Sequence, residues 1–193
     1  MIIDIYSRYV VGWLIAESES AVLAEKLLAD TIAKHDRDQL TIHADNGSST
    51  ASTPVAFLLA DLGVTKTHSR PHTSNDNPYS ESHFRTLKYR PGFPTSFGSL
   101  EDARAHCQHF FSWYNTEHYH SNIAWHHPVN VHYGHAETVQ AARADILTAA
   151  HARNPERFVR KHPEPPALPD AAWINKPTDH DEQHEQSTHS TNP

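Results

Sequence analysis

The sequence predicts an α/β fold in which strands come first and then alternate with helices. Two observations carry this prediction. Residues 1–15 are rich in isoleucine, valine, tyrosine and tryptophan and are interrupted by polar residues and Gly12, which indicates two short strands in a hairpin. Residues 18–34 then carry apolar side chains at helical spacing. In this class of fold, reactive side chains are expected at strand ends and in loops.

Each later element follows from periodicity and capping residues. Ser18 or Ser20 fits the N-cap of the first helix, and Gly63 stands where a helix C-cap is expected. Asn77 precedes a proline suited to a first helical position, and Ser99 with Asp102 resembles a capping box. A turn is predicted at residues 45–49, a polar loop at 70–77 and an irregular segment at 119–134. The expected strands are 40–43 and 64–68, and the expected further helices are 54–62, 78–89, 99–115 and 138–153.

Composition excludes some classes of protein. Cys107 is the one cysteine among the 193 residues, so an internal disulfide and a cysteine-rich zinc site are both excluded. No apolar run reaches the roughly 18–20 residues that span a bilayer, and the first residues do not resemble a signal peptide. We therefore expect a reducing, cytoplasmic compartment and no membrane partner.

Charge is unevenly distributed. The net charge of -7 argues against nucleic acid as a partner, but residues 162–193 hold six acids and one base. Residues 66–104 hold six bases and four acids. A locally basic segment on a nearly neutral body is compatible with binding a phosphate backbone.

Two carboxylates are candidates for metal binding. Asp45 follows a predicted strand, where open α/β sheets bind ligands, although an aspartate there also suits a turn. Glu81 falls in the first turn of a predicted helix, where an acid also suits the helix dipole. The intervening strand and helix could return the chain to the same sheet edge. Together these carboxylates could bind a pair of Mg²⁺ ions for phosphoryl displacement, a reaction that usually needs a third acid.

Two cations share a helix face with Glu81. Arg85 follows it by four residues and Lys88 by seven, so all three side chains lie on one side of the helix. The cations could bind DNA phosphates beside the carboxylates. The alternative is a solvated helix face with an ion pair between Glu81 and Arg85.

At this point the motifs resemble the integrase core of IS3-type transposases and retroviral integrases. Residues 3–13 resemble that family's second and third strands, and residues 43–48 resemble the segment around its second catalytic aspartate, here Asp45. Residues 74–82 are similar to the segment around its catalytic glutamate, here Glu81. Lys88 matches its helical cation. The closing motif corresponds to residues 113–115, 120–123 and Pro128.

The resemblance implies an RNase H-like fold with a mixed sheet flanked by helices. It also implies Mg²⁺ or Mn²⁺ held by three acids, and strand transfer on transposon ends and target DNA. The resemblance further implies a homo-oligomer that acts in a prokaryotic cell and associates with the nucleoid when it is on DNA. The first family acid lies on a first strand that has no counterpart here, so we expect a fragment that is inactive alone. Asp4 is a tempting substitute, but we expect it to cap the hairpin or pair with Arg8.

Three functional hypotheses remain open. The chain is an inactive catalytic-core fragment, a non-catalytic DNA-binding or assembly module, or a nuclease using Asp4 as its third acid. The expected organisation is an integrase-core-like domain at residues 1–134, a helical extension at 135–161 and a disordered tail rich in proline, histidine and acids at 162–193. Most of the 18 histidines are expected on the surface, including the metal-spaced pair His106 and His109, and the aromatic cluster at 110–114 is expected in the core.

Overall fold

The computed structural model describes residues 1–35, 40–44, 50–69 and 77–174. The chain opens with an antiparallel hairpin of β1 (Ile2–Ile3) and β2 (Val10–Gly12). Its turn passes through Arg8, which has a left-handed backbone with φ of 65°. The predicted hairpin is confirmed, with strands shorter than the apolar pattern indicated.

A parallel pair of strands follows. β3 (Thr41–Ala44) and β4 (Thr65–His68) are joined through α2 (Thr53–Asp61) and pair in register over their whole length. Gly63 ends the α2 connection with φ of 65°, a conformation that glycine adopts without steric cost. Among the described residues the four strands form two separate two-stranded sheets.

The helix α1 (Ala21–His35) packs against both the hairpin and α2. Ser20 is its N-cap, because its Oγ accepts a hydrogen bond from the Leu23 N–H at 3.2 Å. Gly12 lets β2 approach the helix closely, since a Cβ at that position would lie 2.1 Å from Thr31 Oγ1. A first hydrophobic core forms beneath these elements from Leu28, Val55 and Leu59.

A second core lies between α3 (Pro78–Tyr89) and α4 (Leu100–Thr116). Ser99 caps α4 by accepting a hydrogen bond from the Asp102 N–H at 3.1 Å, as the sequence predicts. The aromatic cluster is buried as expected, with Phe110 and Tyr114 each 2 % exposed. The other buried members of this core are Val10, Leu87, Cys107 and Phe111.

The segment expected to be irregular between residues 119 and 134 contains helices, so that prediction is wrong in part. A short 3₁₀ helix covers Ser121–Ile123 and α5 covers Pro128–His132. Pro128 stands at the first helical position, which is a start signal that the sequence offered. α6 (Ala136–Arg153) follows, and a third core joins Ile123 to Val131 and Ala136.

The beginning of the expected disordered tail lies against the body of the protein. Gln140 on α6 donates to the carbonyl of Pro166 at 2.7 Å, and Tyr6 in the hairpin donates to that of Pro169 at 3.1 Å. Tyr79 on α3 donates to the carbonyl of Trp173 at 2.8 Å. The chain near Pro166, Pro169 and Trp173 therefore contacts the body of the protein, and residues 175–193 lie outside the described residues. No described helix has the length and hydropathy to cross a membrane.

Candidate metal and nucleic-acid site

The parallel strands β3 and β4 end side by side. Ala44 lies opposite His68, so the chain leaves both strands at one edge of the sheet. His43 links these ends, because its ring nitrogens lie 2.9 Å from Thr67 Oγ1 and 3.3 Å from Ser69 Oγ. Asp45, the residue after Ala44, lies outside the described residues. The polar loop of residues 70–76 does so as well.

Glu81 lies in the first turn of α3 and is exposed. Its N–H donates to the Asn77 carbonyl at 3.3 Å, while the Asn77 side chain makes no capping hydrogen bond. Among the described residues, no ion pair within 4.0 Å joins Glu81 to Arg85. The alternative interpretation of Glu81 as half of an intrahelical ion pair is therefore not supported by the structure.

A large cavity connects the strand ends to the start of α3. Its volume is about 1270 Å³, and both Ala44, which precedes Asp45, and Ser80, which precedes Glu81, line it. Asn77 and His68 border the same space. The polypeptide positions next to the two candidate carboxylates therefore face one cavity.

Asp4 also lines this cavity, but its carboxylate is already engaged. One oxygen accepts from the Tyr6 N–H at 2.9 Å, and the other accepts from Ser7 Oγ at 2.7 Å and His132 Nδ1 at 2.9 Å. Burial acts to raise the pKa of Asp4, but the hydrogen bonds from His132, Ser7 and the Tyr6 N–H outweigh burial and lower it to about 2. Asp4 thus caps the hairpin turn as the sequence predicts.

The expected alternative partner of Asp4, Arg8, is used elsewhere. Its guanidinium lies 4.1 Å from the centroid of the Tyr79 ring and donates to the Ile5 carbonyl. Arg8 is 7 % exposed, so this stacking fixes the hairpin turn to the start of α3. Neither Tyr79 nor His132 was recognised from the sequence, and neither position carries a local signal of its contacts.

Ser7, His132 and Asp4 are the residue types of a nucleophilic triad, but their geometry is different. In a triad the histidine uses one nitrogen for the serine and the other for the carboxylate. Here Nδ1 of His132 lies 3.3 Å from Ser7 Oγ and 2.9 Å from Asp4 Oδ2, so both partners share one nitrogen. Ser7 is also 1 % exposed. The cluster is therefore structural.

The outward face of α3 carries the predicted cations. Arg85 and Lys88 are both exposed, and the Arg85 guanidinium lies 6.0 Å from the centroid of the exposed Tyr89 ring. Arg90 differs, because it stacks on the Trp113 ring at 3.5 Å and so belongs to the body of the protein. The face therefore presents two cations and an aromatic ring to solvent.

Three of the described histidines are exceptions to the surface position expected for most of them. His83, His126 and His132 are buried, with exposed fractions of 2 %, 0 % and 7 %. Both ring nitrogens of His83 lack a hydrogen-bond partner among the described residues, and burial lowers its pKa to about 4. His106 packs edge-on against two phenylalanine rings. Among the described residues, no group of three or more histidine, cysteine or acidic side chains is placed to hold a metal ion.

Two sequence models described as an integrase core domain match consecutive parts of the chain. One matches residues 1–74 and the other residues 62–128. Residues 1–128 thus match the integrase core superfamily. The first match contains Asp45, and the second contains Glu81, Arg85 and Lys88. No curated protein sequence matches the chain.

Solved structures of integrases resemble this chain at low sequence identity. The catalytic core domain of BIV integrase is 21 % identical, with a TM-score of 0.49, over 65 % of this chain and 78 % of that one. A chain of the simian T-cell lymphotropic virus intasome, in complex with PP2A regulatory subunit B56 gamma, is 15 % identical with a TM-score of 0.49. That match covers 84 % of this chain and 48 % of the other, so the chain spans about half of the length of that relative.

Proposed function

We propose that the chain is a catalytic-core part of a DNA strand transferase of the transposase or integrase type, close to the IS3 kind. Its substrates are transposon ends and target DNA. The integrase-core matches over residues 1–128 support this proposal. The observation that carries it is the shared cavity, because Ala44 and Ser80, the neighbours of Asp45 and Glu81, both line it.

The proposed metal ligands are Asp45 and Glu81. Carboxylate oxygens are the ligands that Mg²⁺ prefers, and Mn²⁺ accepts the same donors. Glu81 fits this role because it is exposed and forms no ion pair within the described part of the chain. A pair of such ions, when bound, stabilises the attacking and leaving oxygens of phosphodiester displacement.

We further propose that the isolated chain is inactive in strand transfer. Two carboxylates are fewer than the three that the resemblance implies. Asp4 does not supply the third, because its oxygens accept hydrogen bonds from Tyr6, Ser7 and His132. Releasing that carboxylate would break the turn of the hairpin.

Titration of the chain with Mn²⁺ tests the metal site, with free Mn²⁺ measured by electron paramagnetic resonance. We expect Asp45→Asn and Glu81→Gln each to weaken Mn²⁺ binding by about tenfold or more, since each removes a charged ligand from a two-acid site. Glu137→Gln is a matched control, because Glu137 is an exposed acid in the first turn of α6. Equal binding by Glu81→Gln and Glu137→Gln would refute the ligand assignment.

Strand-transfer assays with Mn²⁺ and DNA carrying element ends test activity. We expect no turnover by the isolated chain. Robust turnover that Asp45→Asn abolishes would support the transferase function and overturn the proposed inactivity. Turnover abolished by Asp4→Asn under conditions where that variant stays folded would instead identify Asp4 as the third acid.

The proposed DNA contact is the α3 face with Arg85 and Lys88. Both cations are exposed beside Glu81, and the resemblance assigns a cation to the position of Lys88. Lys26→Ala with Lys34→Ala, on α1, removes the same charge elsewhere on the surface and provides the control. Weaker DNA binding by the α3 variants than by the α1 variants is the expected result.

The alternative is a non-catalytic DNA-binding or assembly module, as part of a homo-oligomer. The engagement of Asp4 favours this alternative, because it leaves the acidic set incomplete within the described chain. It predicts that DNA binding depends on salt and is the same in the parent chain and in Asp45→Asn. It also predicts that the parent chain binds Mn²⁺ no more tightly than Asp45→Asn does.

A further inference from the structure

An extended segment crosses the body of the protein after α6. Residues 163–174, here named the strap, contain no helix or strand, and each of them is exposed or half-buried. Four of these residues are proline, which favours the extended polyproline conformation. The integrase-core models match residues 1–128, so the strap lies outside the part of the chain that matches the family.

The body of the protein holds the strap by its backbone carbonyls. Gln140 on α6 donates to the carbonyl of Pro166 at 2.7 Å, and Tyr6 in the hairpin donates to that of Pro169 at 3.1 Å. A polyproline segment has carbonyls available for such donors, because its conformation contains no internal hydrogen bonds. Aromatic-lined grooves bind proline-rich ligands in this conformation. The strap is therefore bound to the surface in the way that a proline-rich ligand is bound.

The far end of the strap reaches the candidate site. Tyr79 in the first turn of α3 donates from its hydroxyl to the carbonyl of Trp173 at 2.8 Å. Ile174 lines the large cavity together with Ser80, the residue that precedes Glu81. The strap thus forms part of the cavity wall beside the start of α3.

The middle of the strap is attached through one half-buried side chain. Leu168 packs against the third core beside Tyr6, whereas its neighbour Ala167 is exposed. The hydrogen bonds at the two ends of the strap, from Gln140 and Tyr79, are both exposed. Segments with exposed hydrogen bonds and few buried apolar contacts open at a lower free energy than a core does. The strap can therefore detach while the body stays folded.

The strap also places a negative charge near the start of α3. Asp170 is exposed and stands three residues before Trp173, so the two Cα atoms lie within about 11 Å of each other. An exposed carboxylate at such a position repels the phosphates of DNA. Both the position and the charge of the strap thus oppose the approach of DNA to Glu81.

We propose that the strap is autoinhibitory. In the closed form of this structure it excludes DNA from the cavity at the start of α3, and its release opens the site. This role rests on the proposed DNA-binding function. A strap that is closed for about nine tenths of the time weakens DNA binding about tenfold, because the apparent affinity scales with the fraction of the open form.

Replacing Leu168 with aspartate should release the strap, because the new charge would face the apolar third core. Ala167→Asp is the matched control, since it adds the same charge at an adjacent exposed position. Fluorine NMR of the full chain labelled with 5-fluorotryptophan reports on the strap through Trp173, whose signal is assigned with Trp173→Phe. We expect that signal to shift in Leu168→Asp and to stay at the parent position in Ala167→Asp. The same signal in both variants would refute a releasable strap.

DNA binding by the same full chains tests autoinhibition, with fluorescence anisotropy of a labelled duplex as the measurement. We expect Leu168→Asp to bind DNA about tenfold more tightly than the parent and Ala167→Asp, although an added negative charge by itself weakens DNA binding. Tyr6→Phe combined with Tyr79→Phe removes two donors to the strap and keeps both rings. It should therefore also tighten DNA binding, by a route that leaves the third core unchanged.

The outcomes separate the strap from the proposed function. If the chains bind DNA but both released variants bind it as the parent does, autoinhibition is refuted and the proposed DNA binding stands. If none of the chains binds DNA, the proposed function is refuted, and the autoinhibitory role with it. Circular dichroism of each variant checks that the body remains folded.

A synthetic peptide of residues 163–174 tests whether the body recognises the strap itself. Added to Leu168→Asp at about 1 mM, the effective concentration of a short flexible tether, it should return DNA affinity toward the parent value. The same peptide carrying Leu168→Asp is the control and should leave DNA affinity unchanged. Equal effects of the two peptides would overturn the proposal, because the surface would then not recognise the sequence of the strap.

Discussion

Replacing Asp4 with asparagine tests whether this carboxylate stabilises the hairpin turn. The variant keeps the shape of the side chain but removes its charge and one acceptor from the cluster with Ser7 and His132. The pKa of Asp4 is lowered from 3.8 to about 2 in the folded chain. At about 1.4 kcal/mol per pH unit, this difference corresponds to about 2 kcal/mol of stability at neutral pH.

The sign of the pH dependence follows from the lowered pKa of Asp4. Its contribution is fully present above the unfolded value of 3.8 and is lost as the pH falls toward the folded value of about 2. At pH 3 about half of it should remain, roughly 1 kcal/mol. We therefore expect Asp4→Asn to unfold about 2 kcal/mol more easily than the parent chain near pH 7, with a smaller difference at pH 3.

Urea unfolding followed by tryptophan fluorescence measures both differences. Asp30→Asn is the control, since Asp30 pairs with Lys26 at 3.1 Å but both side chains are about two thirds exposed, at 66 % and 64 %. Such surface pairs contribute about 0–1 kcal/mol. The reasoning would be refuted by an Asp4→Asn variant as stable as Asp30→Asn at neutral pH, or by a difference from the parent that does not change with pH.

Three further predictions concern the core and the proposed DNA face. Asn115→Ala should lower the free energy of unfolding by about 2–4 kcal/mol. The buried Asn115 side chain accepts a hydrogen bond from the Val10 N–H at 2.9 Å and donates one to the Val10 carbonyl at 3.1 Å, and alanine makes neither. His83→Leu should raise the free energy of unfolding by about 1 kcal/mol at neutral pH, because it removes two buried ring nitrogens without partners among the described residues. Replacing both Arg85 and Lys88 with alanine should reduce the slope of log binding constant against log salt concentration by about 2, since each phosphate contact contributes about 0.9.

Simple comparisons check these three expectations. Asn122→Ala, at an exposed position, should change the free energy of unfolding by less than about 0.5 kcal/mol in the same urea titration. A destabilised His83→Leu variant would mean that packing around this ring outweighs its missing hydrogen bonds. An unchanged salt slope would remove the α3 face from the proposed DNA contact.

Local patterns were sufficient for most of the secondary structure. The hairpin, α1 and α4 were predictable because alternating or helical apolar spacing and capping serines act over a few residues. Ser20 and Ser99 accept the N–H bonds expected of N-caps. α5 was missed because the segment around it is short and polar, although Pro128 marks its first turn.

The candidate site was only partly accessible from sequence. Glu81 was placed correctly in a helical first turn, and Asp45 stays a prediction because it lies outside the described residues. The residues that engage Asp4 could not be predicted, because His132 is 128 positions away and carries no local pattern. The same holds for the contact of Tyr79 with Trp173, 94 positions apart, which brings the beginning of the tail onto the body.

The sequence by itself determined the order of strands and helices, the family resemblance and the two candidate carboxylates, because these depend on residue type and short-range spacing. Only the tertiary structure decided that Asp4 is a structural acid, that Asn115 completes the edge of β2, and that β1 and β3 face one cavity. Those contacts join residues about one hundred positions apart or strands of different sheets. Their formation depends on how the cores pack, which no local segment of the chain specifies.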